Sequence, residues 1–517
     1  MLFSDKVPLT IVMVSTKQVQ ADKQRIENNA YKTAEKNYKT QMALLEKQQQ
    51  ANQITIEKYR QETQELKNSF EKYQSLIDGL AEHYAHTDYD ELDAKEQEIN
   101  LCIENGDLDK AEVLLQALDI EKRLAEIEQR IKTGKQLIAK GDEEMALILK
   151  QQEKEAEYLY QLYTIALGRF DNEKARYYIE IRAALDTTNA VWQFDAGLYL
   201  AKQNLHQKAI FYCEKSLKLF RKQTQANSEG DEFGVVMALN NLSVLYNAIQ
   251  RFSESEAMFK EALEICRRLA KSNPQAYEPD VAMTLNNLGN LYSDTQRFSE
   301  SEIMNKEALE IHRRLAKSNP QAYEPDVAMT IYNCGLLNLK QEKYAEAIPL
   351  FEIALNIYRH LAQNNPAQQQ WYVGSLYFLS TLYPTVGNNT SAYFINQEFL
   401  PYLLKRYEED KDALRHVYAR TLGGQSFYAL FMNKFVEAEK YAREGLGVDS
   451  TQHFIYTNLA AALLFQGKYA EAEAIYQQYK DEMKNSFLDD IRRFAEAEII
   501  PKRYEADVEK IKKMLNE

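Results

Sequence analysis

Histidines and paired acidic residues are the first features of this sequence that could carry out chemistry. His83 and His86 stand three residues apart in the segment HYAH. This spacing would place both imidazoles on one face of a helix, as two metal ligands require. No third ligand accompanies them, and acidic pairs such as Glu143 and Glu144 lie on polar helix faces. We therefore interpret these side chains as surface or packing residues and expect no metal.

Catalytic signatures are also missing from the sequence. It contains no phosphate-binding GxxxxGKS or GxxxxGKT loop, no HExxH motif and no GxSxG motif. His312 is a possible base, but the residues 46 positions before and after it are Cys266 and Tyr358. Because this one register accepts three different side chains, we interpret it as a packing position. The sequence predicts a protein without enzymatic activity and without a cofactor.

A more regular set of side chains recurs every 46 residues. Asparagine occupies one register of three successive segments, and methionine stands four residues before it, so each pair shares a helix face. Asn290 and Asp294 extend this face, and Asn458 stands at the matching register of a later segment. The candidate binding residues are Met237, Asn241, Met283, Asn287, Asn290, Asp294, Met329 and Asn333.

These residue types suit the capture of a peptide. A carboxamide both donates and accepts, so it can bond either backbone group of an extended chain. Methionine is flexible and polarisable, so it adapts to varied apolar side chains. The alternative interpretation is that the asparagines mediate contacts between helices and the methionines fill the core. The sequence leaves both interpretations open.

Internal repeats carry these residues. The three copies occupy 237–274, 283–320 and 329–366. Each copy predicts two amphipathic helices joined by a polar turn. In the second copy the apolar stripes consist of Leu285, Leu288, Leu291 and Tyr292, and of Ile303, Ala308, Leu309 and Ile311. Proline lacks the amide hydrogen and clashes with the preceding turn, so we expect Pro320 to end a helix and SNPQAYEPD to form the loop between repeats.

The repeats resemble the tetratricopeptide-repeat (TPR) family. Leu288, Gly289 and Tyr292 match its first-helix pattern, and the small residues Ser301 and Ala308 match its second helix. The 46-residue period and the LNNL segment resemble the longer repeats of kinesin light chains. The resemblance implies an all-α fold: a right-handed TPR α-solenoid of helix pairs, whose concave groove is lined by the candidate binding residues.

The segments outside these copies divide the chain further. Residues 17–84 have apolar residues at helical spacing with a polar break near Gln50–Thr55, which predicts a helical hairpin with coiled-coil character, with Thr55 capping its second helix. The predicted organisation is a short extended segment (1–16), the hairpin (17–84), divergent TPR-like helices (85–185), the array (186–480) and C-terminal capping helices (481–517).

Composition limits the partners. The net charge of −14 disfavours nucleic acid, which is itself a polyanion. No run of eighteen apolar residues would span a membrane. The four cysteines form no CxxC pair, which is typical of free thiols. As the chain stands, we expect it to be cytoplasmic.

Some segments resemble one group of bacterial TPR proteins. These segments are PLTIVMVS, HYAHTDYDEL, RAALDTTNAVWQFDAG and LDDIRRF. Members of that group often carry an exported N-terminal β-sandwich of the carboxypeptidase-regulatory type, and PLTIVMV is similar to the last strand of such a domain. The resemblance therefore keeps a periplasmic or exported location open.

The sequence thus indicates a non-enzymatic scaffold that binds a peptide or a partner protein in the concave groove. Two alternatives stay open: a structural or assembly protein that forms homo-oligomers through residues 17–84, and an accessory subunit of an envelope complex.

Overall fold

The computed structural model describes residues 16–51, 53–74, 76–85, 87, 89, 92–118, 120, 122–123, 126, 142–226, 230–364 and 368–516. Within these ranges the chain forms 23 α-helices and no strand, so the predicted all-α fold is confirmed. No helix in the same ranges is sufficiently long and apolar to cross a bilayer. The proposed strand segment PLTIVMV lies outside the described residues.

The helices belong to two compact units. The described residues of 1–327 and 361–367 form the first unit, and those of 328–360 and 368–517 form the second. The first unit contains α1 (Thr16–Gln50), α2 (Ile56–Gln74), α3 (Ile77–Ala85), α4 (Ala94–Glu104), α5 (Leu108–Gln116), α6 (Asp142–Gly168), α7 (Asn172–Leu185), α8 (Ala190–Lys202), α9 (His206–Ala226), α10 (Gly230–Ala248), α11 (Phe252–Ser272), α12 (Pro274–Asp294) and α13 (Phe298–Ser318).

Two helices, α14 (Pro320–Lys340) and α15 (Tyr344–Asn364), contain residues of both units. The second unit continues with α16 (Gln369–Thr385), α17 (Asn389–Glu409), α18 (Lys411–Phe431), α19 (Phe435–Val448), α20 (Phe454–Leu464), α21 (Tyr469–Gln478), α22 (Lys480–Glu496), a 3₁₀ turn (Lys502–Tyr504) and α23 (Glu505–Asn516). In each unit successive helices pack against one another as in a TPR solenoid. We call the first helix of each repeat its A helix and the second its B helix.

The prediction of a loop at SNPQAYEPD is wrong. The A helix α12 begins at Pro274, in the segment that had been assigned to the loop, and α14 begins at Pro320 in the same way. Proline fits the first helical position because no intrahelical bond is needed there. The side chain of Asn273 accepts a hydrogen bond from the Ala276 amide and caps α12. The 46-residue period therefore consists of two 21-residue helices with very short connections.

Small residues allow the A and B helices of a repeat to pack closely together. Ser301 and Ala308 of α13 are fully buried. A Cβ atom added to Gly289 of α12 would lie 2.5 Å from Oδ1 of Asn305, so the two helices approach too closely for a side chain there. Ile303 was placed on the buried stripe of α13, but it is 59% exposed. Its register points away from α12, so that assignment was wrong.

Overpacking this contact should destabilise the array. We expect Ala308→Leu to lower the free energy of unfolding by about 1–3 kcal/mol, because the added carbons find no space between α12 and α13. Lys306→Leu is the matched control, since Lys306 is exposed on the same helix. Denaturant unfolding of both variants checks this. Equal stability of both variants and the parent chain would contradict the assigned packing.

The N-terminal segment forms a hairpin that is attached to the following helices. The turn lies where the sequence predicts it: Thr55 Oγ1 accepts from the Lys58 amide at 3.1 Å, and α1 packs against α2 and α3. One face of α1 donates side-chain hydrogen bonds to carbonyls at the ends of α4 and α6. These bonds join Asn29 to Glu104, Asn37 to Gly168, and Gln41 to Arg169. This face of α1 is therefore engaged within the chain, and self-association through residues 17–84 stays a prediction.

Candidate peptide-binding face

Two neighbouring A helices of the first unit, α10 and α12, present one repeated set of side chains to solvent. The opposite sides of both helices are buried and consist of residues such as Leu239, Leu242, Leu285 and Leu288. The exposed and half-buried residues include Met237, Asn241, Val244 and Asn247 on α10, and Met283, Asn287, Asn290 and Asp294 on α12. We call these eight residues the A-face.

The A-face brings together six of the eight candidate residues. Met283 is 42% exposed, Asn290 and Asp294 are exposed, and the other three are half-buried. The Asn241 side chain donates to the carbonyl of Met237 one turn earlier, at 3.0 Å. Its carboxamide is therefore held in place at the surface of α10.

A hydrogen bond connects the two helices across the A-face. Nδ2 of Asn247 donates to Oδ2 of Asp294 at 3.0 Å. Sequence comparison of the repeats did not find Asn247, because its equivalent one repeat later is Ser293 and the pair does not recur. Its position three residues after Val244, one helical turn away, was the only available signal. Val244, which is 51% exposed, was missed because its equivalent is the polar Asn290.

A neighbouring asparagine has the structural role that the alternative interpretation gave to Asn241, Asn287 and Asn333. Asn240 is 4% exposed, and its Nδ2 donates to Oγ1 of Thr284 at 3.0 Å, joining α10 to α12 inside the array. The adjacent residue Asn241 lies on a different side of α10, because successive helical residues point about 100° apart. The two asparagines of each NN pair therefore occupy different environments.

Cation–π contacts and an ion pair join the A helices to the B helices. The Arg297 guanidinium lies 4.1 Å from the centre of the Tyr292 ring and donates to Glu256 of the preceding B helix at 2.6 Å. The same guanidinium holds the pKa of Glu256 at about 2, well below its usual range. Arg251 packs on Tyr246 one repeat earlier, at 4.3 Å. These contacts position α10 and α12 relative to the B helices.

The remaining candidates lie in the second unit. Met329 and Asn333 are half-buried on the part of α14 that belongs to this unit, and their role in binding stays a prediction. Asn458 stands at the matching register, but it does not extend the row of solvent-facing asparagines. It is 1% exposed and donates to the Gly423 carbonyl at 2.8 Å, because α22 packs over α20.

His83 and His312, two of the residues considered for chemistry, contact or are buried against other parts of the chain. Nε2 of His83 lies 3.4 Å from Oε1 of Glu157, and His86 is outside the described residues. His312 is 3% exposed, and burial lowers its pKa to about 4. Burial also raises the pKa of both Cys213 and Cys266 to about 12. Across the described part of the chain, no three His, Cys, Asp or Glu residues form a group that could hold a metal ion.

Comparison with protein families agrees with this geometry. A family described as tetratricopeptide repeat matches residues 235–314 and 280–360, which contain the A-face. A second tetratricopeptide-repeat family matches residues 455–478, which form α20 and α21. No curated protein sequence matches the chain significantly.

Several solved structures are similar to this chain. BtubC (BKLC) from P. vanneervenii is 21% identical with a TM-score of 0.34, over 47% of this chain and 87% of BtubC. A Rap protein complexed with competence and sporulation factor is 14% identical with a TM-score of 0.37, over 78% of this chain and 98% of its own. The quorum sensor NprR from B. thuringiensis is 15% identical with a TM-score of 0.34, over 68% and 97%.

Repeat arrays of this kind bind other proteins through their extended surfaces. The matched families, the helix pairs and the small residues at their contacts lead to the same assignment. The chain contains tetratricopeptide repeats, over residues 235–360 and 455–478, and through these repeats it is a protein-interaction scaffold.

Proposed function

We propose that the chain binds an extended peptide segment of a partner protein on the A-face, without catalysing a reaction. The observation that carries this proposal is that methionine and asparagine recur, exposed or half-buried, on one face of two successive A helices, in the part of the chain that matches the tetratricopeptide-repeat family. The net charge of −14 supports a protein ligand rather than a nucleic acid.

The chemistry of the A-face favours recognition of the peptide main chain. Asn287 and Asn290 offer both donors and acceptors, so they can bond the amides and carbonyls that an extended peptide leaves unpaired. Packed helices lie about 8–10 Å apart, and an extended chain advances about 3.3 Å per residue. Equivalent residues of α10 and α12 would therefore contact peptide positions about three residues apart.

Specificity in this proposal comes from apolar side chains. Met237 and Met283 lie at equivalent registers of α10 and α12, and Val244 adds a further exposed apolar group. Methionine adjusts its three side-chain torsions to differently shaped partners. We therefore expect ligands with apolar residues about three positions apart and tolerant positions between them.

Selection from a random peptide library tests the proposal. Dodecamers displayed on phage would be selected on the immobilised full-length chain, and enriched peptides would be synthesised and titrated in solution. We expect 1:1 binding by peptides that carry the three-residue apolar spacing, and weaker binding by scrambled versions of the same peptides. Selection that yields no peptide binding in solution, or scrambled peptides that bind equally well, would contradict the proposal.

A further inference from the structure

The solvent-facing stripe of α12 continues beyond the A-face towards the start of the helix. Asp280 stands seven residues, about two turns, before Asn287 and three residues before Met283, so the three side chains lie on one side of α12. Asp280 is half-buried, so a ligand on the A-face can reach it. Its equivalent on α10 is Gly234, and this carboxylate therefore has no counterpart on the neighbouring A helix.

No ion pair balances the Asp280 carboxylate within the part of the chain that the structure describes. Burial raises the pKa of Asp280 to about 6, and among the described residues only its own backbone amide counters the rise. Glu278 on the same helix differs, because it pairs with Arg314 at 2.7 Å. At neutral pH Asp280 therefore carries a half-buried negative charge that has no cation beside it.

Helix capping does not account for this carboxylate. The unpaired amides of a helix lie in its first turn, and α12 begins at Pro274. The Asn273 side chain caps this turn by accepting from the Ala276 amide. Asp280 lies in the second turn, where the backbone amides bond to carbonyls of the same helix. Its charge is therefore not needed to begin α12.

Aromatic residues of three A helices lie at this end of the stripe. The rings of Phe233 on α10 and Tyr277 on α12 are 5.8 Å apart, and Tyr277 stands one turn before Asp280. Tyr323 lies in the part of α14 that belongs to the first unit, and its pKa is raised by burial and by the charges of Asp326 and Asp280. Aromatic rings pack on aliphatic chains, and their faces attract cations. These surroundings suit a long basic side chain.

We infer that the peptide bound on the A-face carries a lysine or an arginine whose cation pairs with Asp280. This inference rests on the function proposed above and specifies the charge of its ligand. Asn287 and Asp280 are separated by about 10 Å along the helix, so a long side chain is needed to connect a main chain held at Asn287 with the carboxylate. Its methylene stem packs on Met283, which lies between the two.

The position of the basic residue in the peptide follows from the same geometry. An extended peptide that advances about 3.3 Å per residue places about three residues over each A helix. The lysine or arginine therefore stands within two positions of the apolar residue that contacts Met283. A neutral side chain would leave the Asp280 charge without a partner, and an acidic one would be repelled by it.

Parallel selection of the dodecamer phage library tests this inference together with the proposed function. The library would be selected on the full-length parent chain, on Asp280→Asn and on Glu310→Gln, and the three pools would be sequenced. Glu310→Gln is the control, because it removes the same charge from an exposed position on α13. We expect the apolar spacing in all three pools. Enrichment in lysine and arginine beside that spacing is expected in the parent and control pools, and not in the Asp280→Asn pool.

Titration of a selected peptide measures the effect of the charge. Its basic residue would be replaced by an uncharged residue of similar length, norleucine for lysine or citrulline for arginine. We expect the parent chain to bind the uncharged peptide about tenfold more weakly, because a charge-assisted hydrogen bond is lost. Asp280→Asn should bind both peptides equally. Its melting midpoint should not fall, because the substitution removes a half-buried charge that has no counter-ion.

The outcomes separate this inference from the proposed function. Pools that share the apolar spacing without an excess of basic residues would overturn the role of Asp280 and leave peptide binding on the A-face intact. Equal affinity of the parent chain for the basic and uncharged peptides would have the same consequence. Basic residues that stay enriched on Asp280→Asn would also contradict the inference. Pools that yield no peptide binding in solution would overturn both.

Discussion

Alanine at Asn241, Asn287 and Asn290 together is expected to weaken the binding of a selected peptide by about 1.5–4.5 kcal/mol. Each neutral hydrogen bond contributes about 0.5–1.5 kcal/mol net, and each carboxamide is expected to form one such bond with the peptide. The three side chains are exposed or half-buried, so their removal leaves no buried polar group unpaired. We therefore expect the free energy of unfolding to change little. Titration of the peptide and denaturant unfolding of the same preparation measure both effects.

The adjacent asparagine provides the control for this variant. Asn240→Ala removes the buried bond to Thr284 and should lower stability by about 1–3 kcal/mol, since the Thr284 hydroxyl loses this donor. The affinity of the folded protein for the peptide should stay the same, because Asn240 does not belong to the A-face. If the triple variant instead lost stability and kept its affinity for the peptide, the three asparagines would have a structural role. The proposal that they bind the peptide main chain would then be wrong.

Acid is expected to destabilise the parent chain by about 2–3 kcal/mol more than the His312→Cys variant between pH 7 and pH 4.5. Burial lowers the pKa of His312 to about 4 in the folded state, whereas an unfolded histidine titrates near 6.5. Between these values the unfolded chain binds a proton that the folded chain does not bind. Stability therefore falls as the pH falls through this window.

Cysteine is the natural replacement because Cys266 occupies the equivalent position one repeat earlier and is fully buried. A buried thiol there is neutral at both pH values, since burial raises the pKa of Cys266 to about 12. Any cavity left by the smaller side chain costs the same at both pH values and cancels in the comparison. Denaturant unfolding of both proteins at pH 7 and pH 4.5 gives the difference. Identical pH dependence would show that His312 is protonated or accessible in the folded chain.

Much of the repeat architecture could be predicted from sequence because it depends on local spacing. Gly289 and Ala308 mark the close contact of two helices, and the turn before α2 is marked by Thr55 as a cap. The inter-repeat segment could not be assigned in this way. Proline both ends helices and begins them, and only the packed structure shows that Pro274 and Pro320 begin them.

The environment of single residues was harder to predict than the helices. Asn240 and Asn241 have the same side chain and adjacent positions, yet one is buried and the other faces solvent. Asn458 matches the register of Asn287 but is covered by α22, a helix outside the repeat pattern.

Site-specific photo-crosslinking tests the central claim that the A helices bind the peptide. A benzophenone amino acid would replace Met283 on α12 in one protein and Ile303 on α13 in another, because both side chains are well exposed, at 42% and 59%. Each protein would be irradiated with the same selected peptide, and the adducts would be quantified by mass spectrometry. We expect a peptide adduct at position 283, with little at 303. Crosslinking at 303 with none at 283 would place the ligand on the B helices and contradict the account.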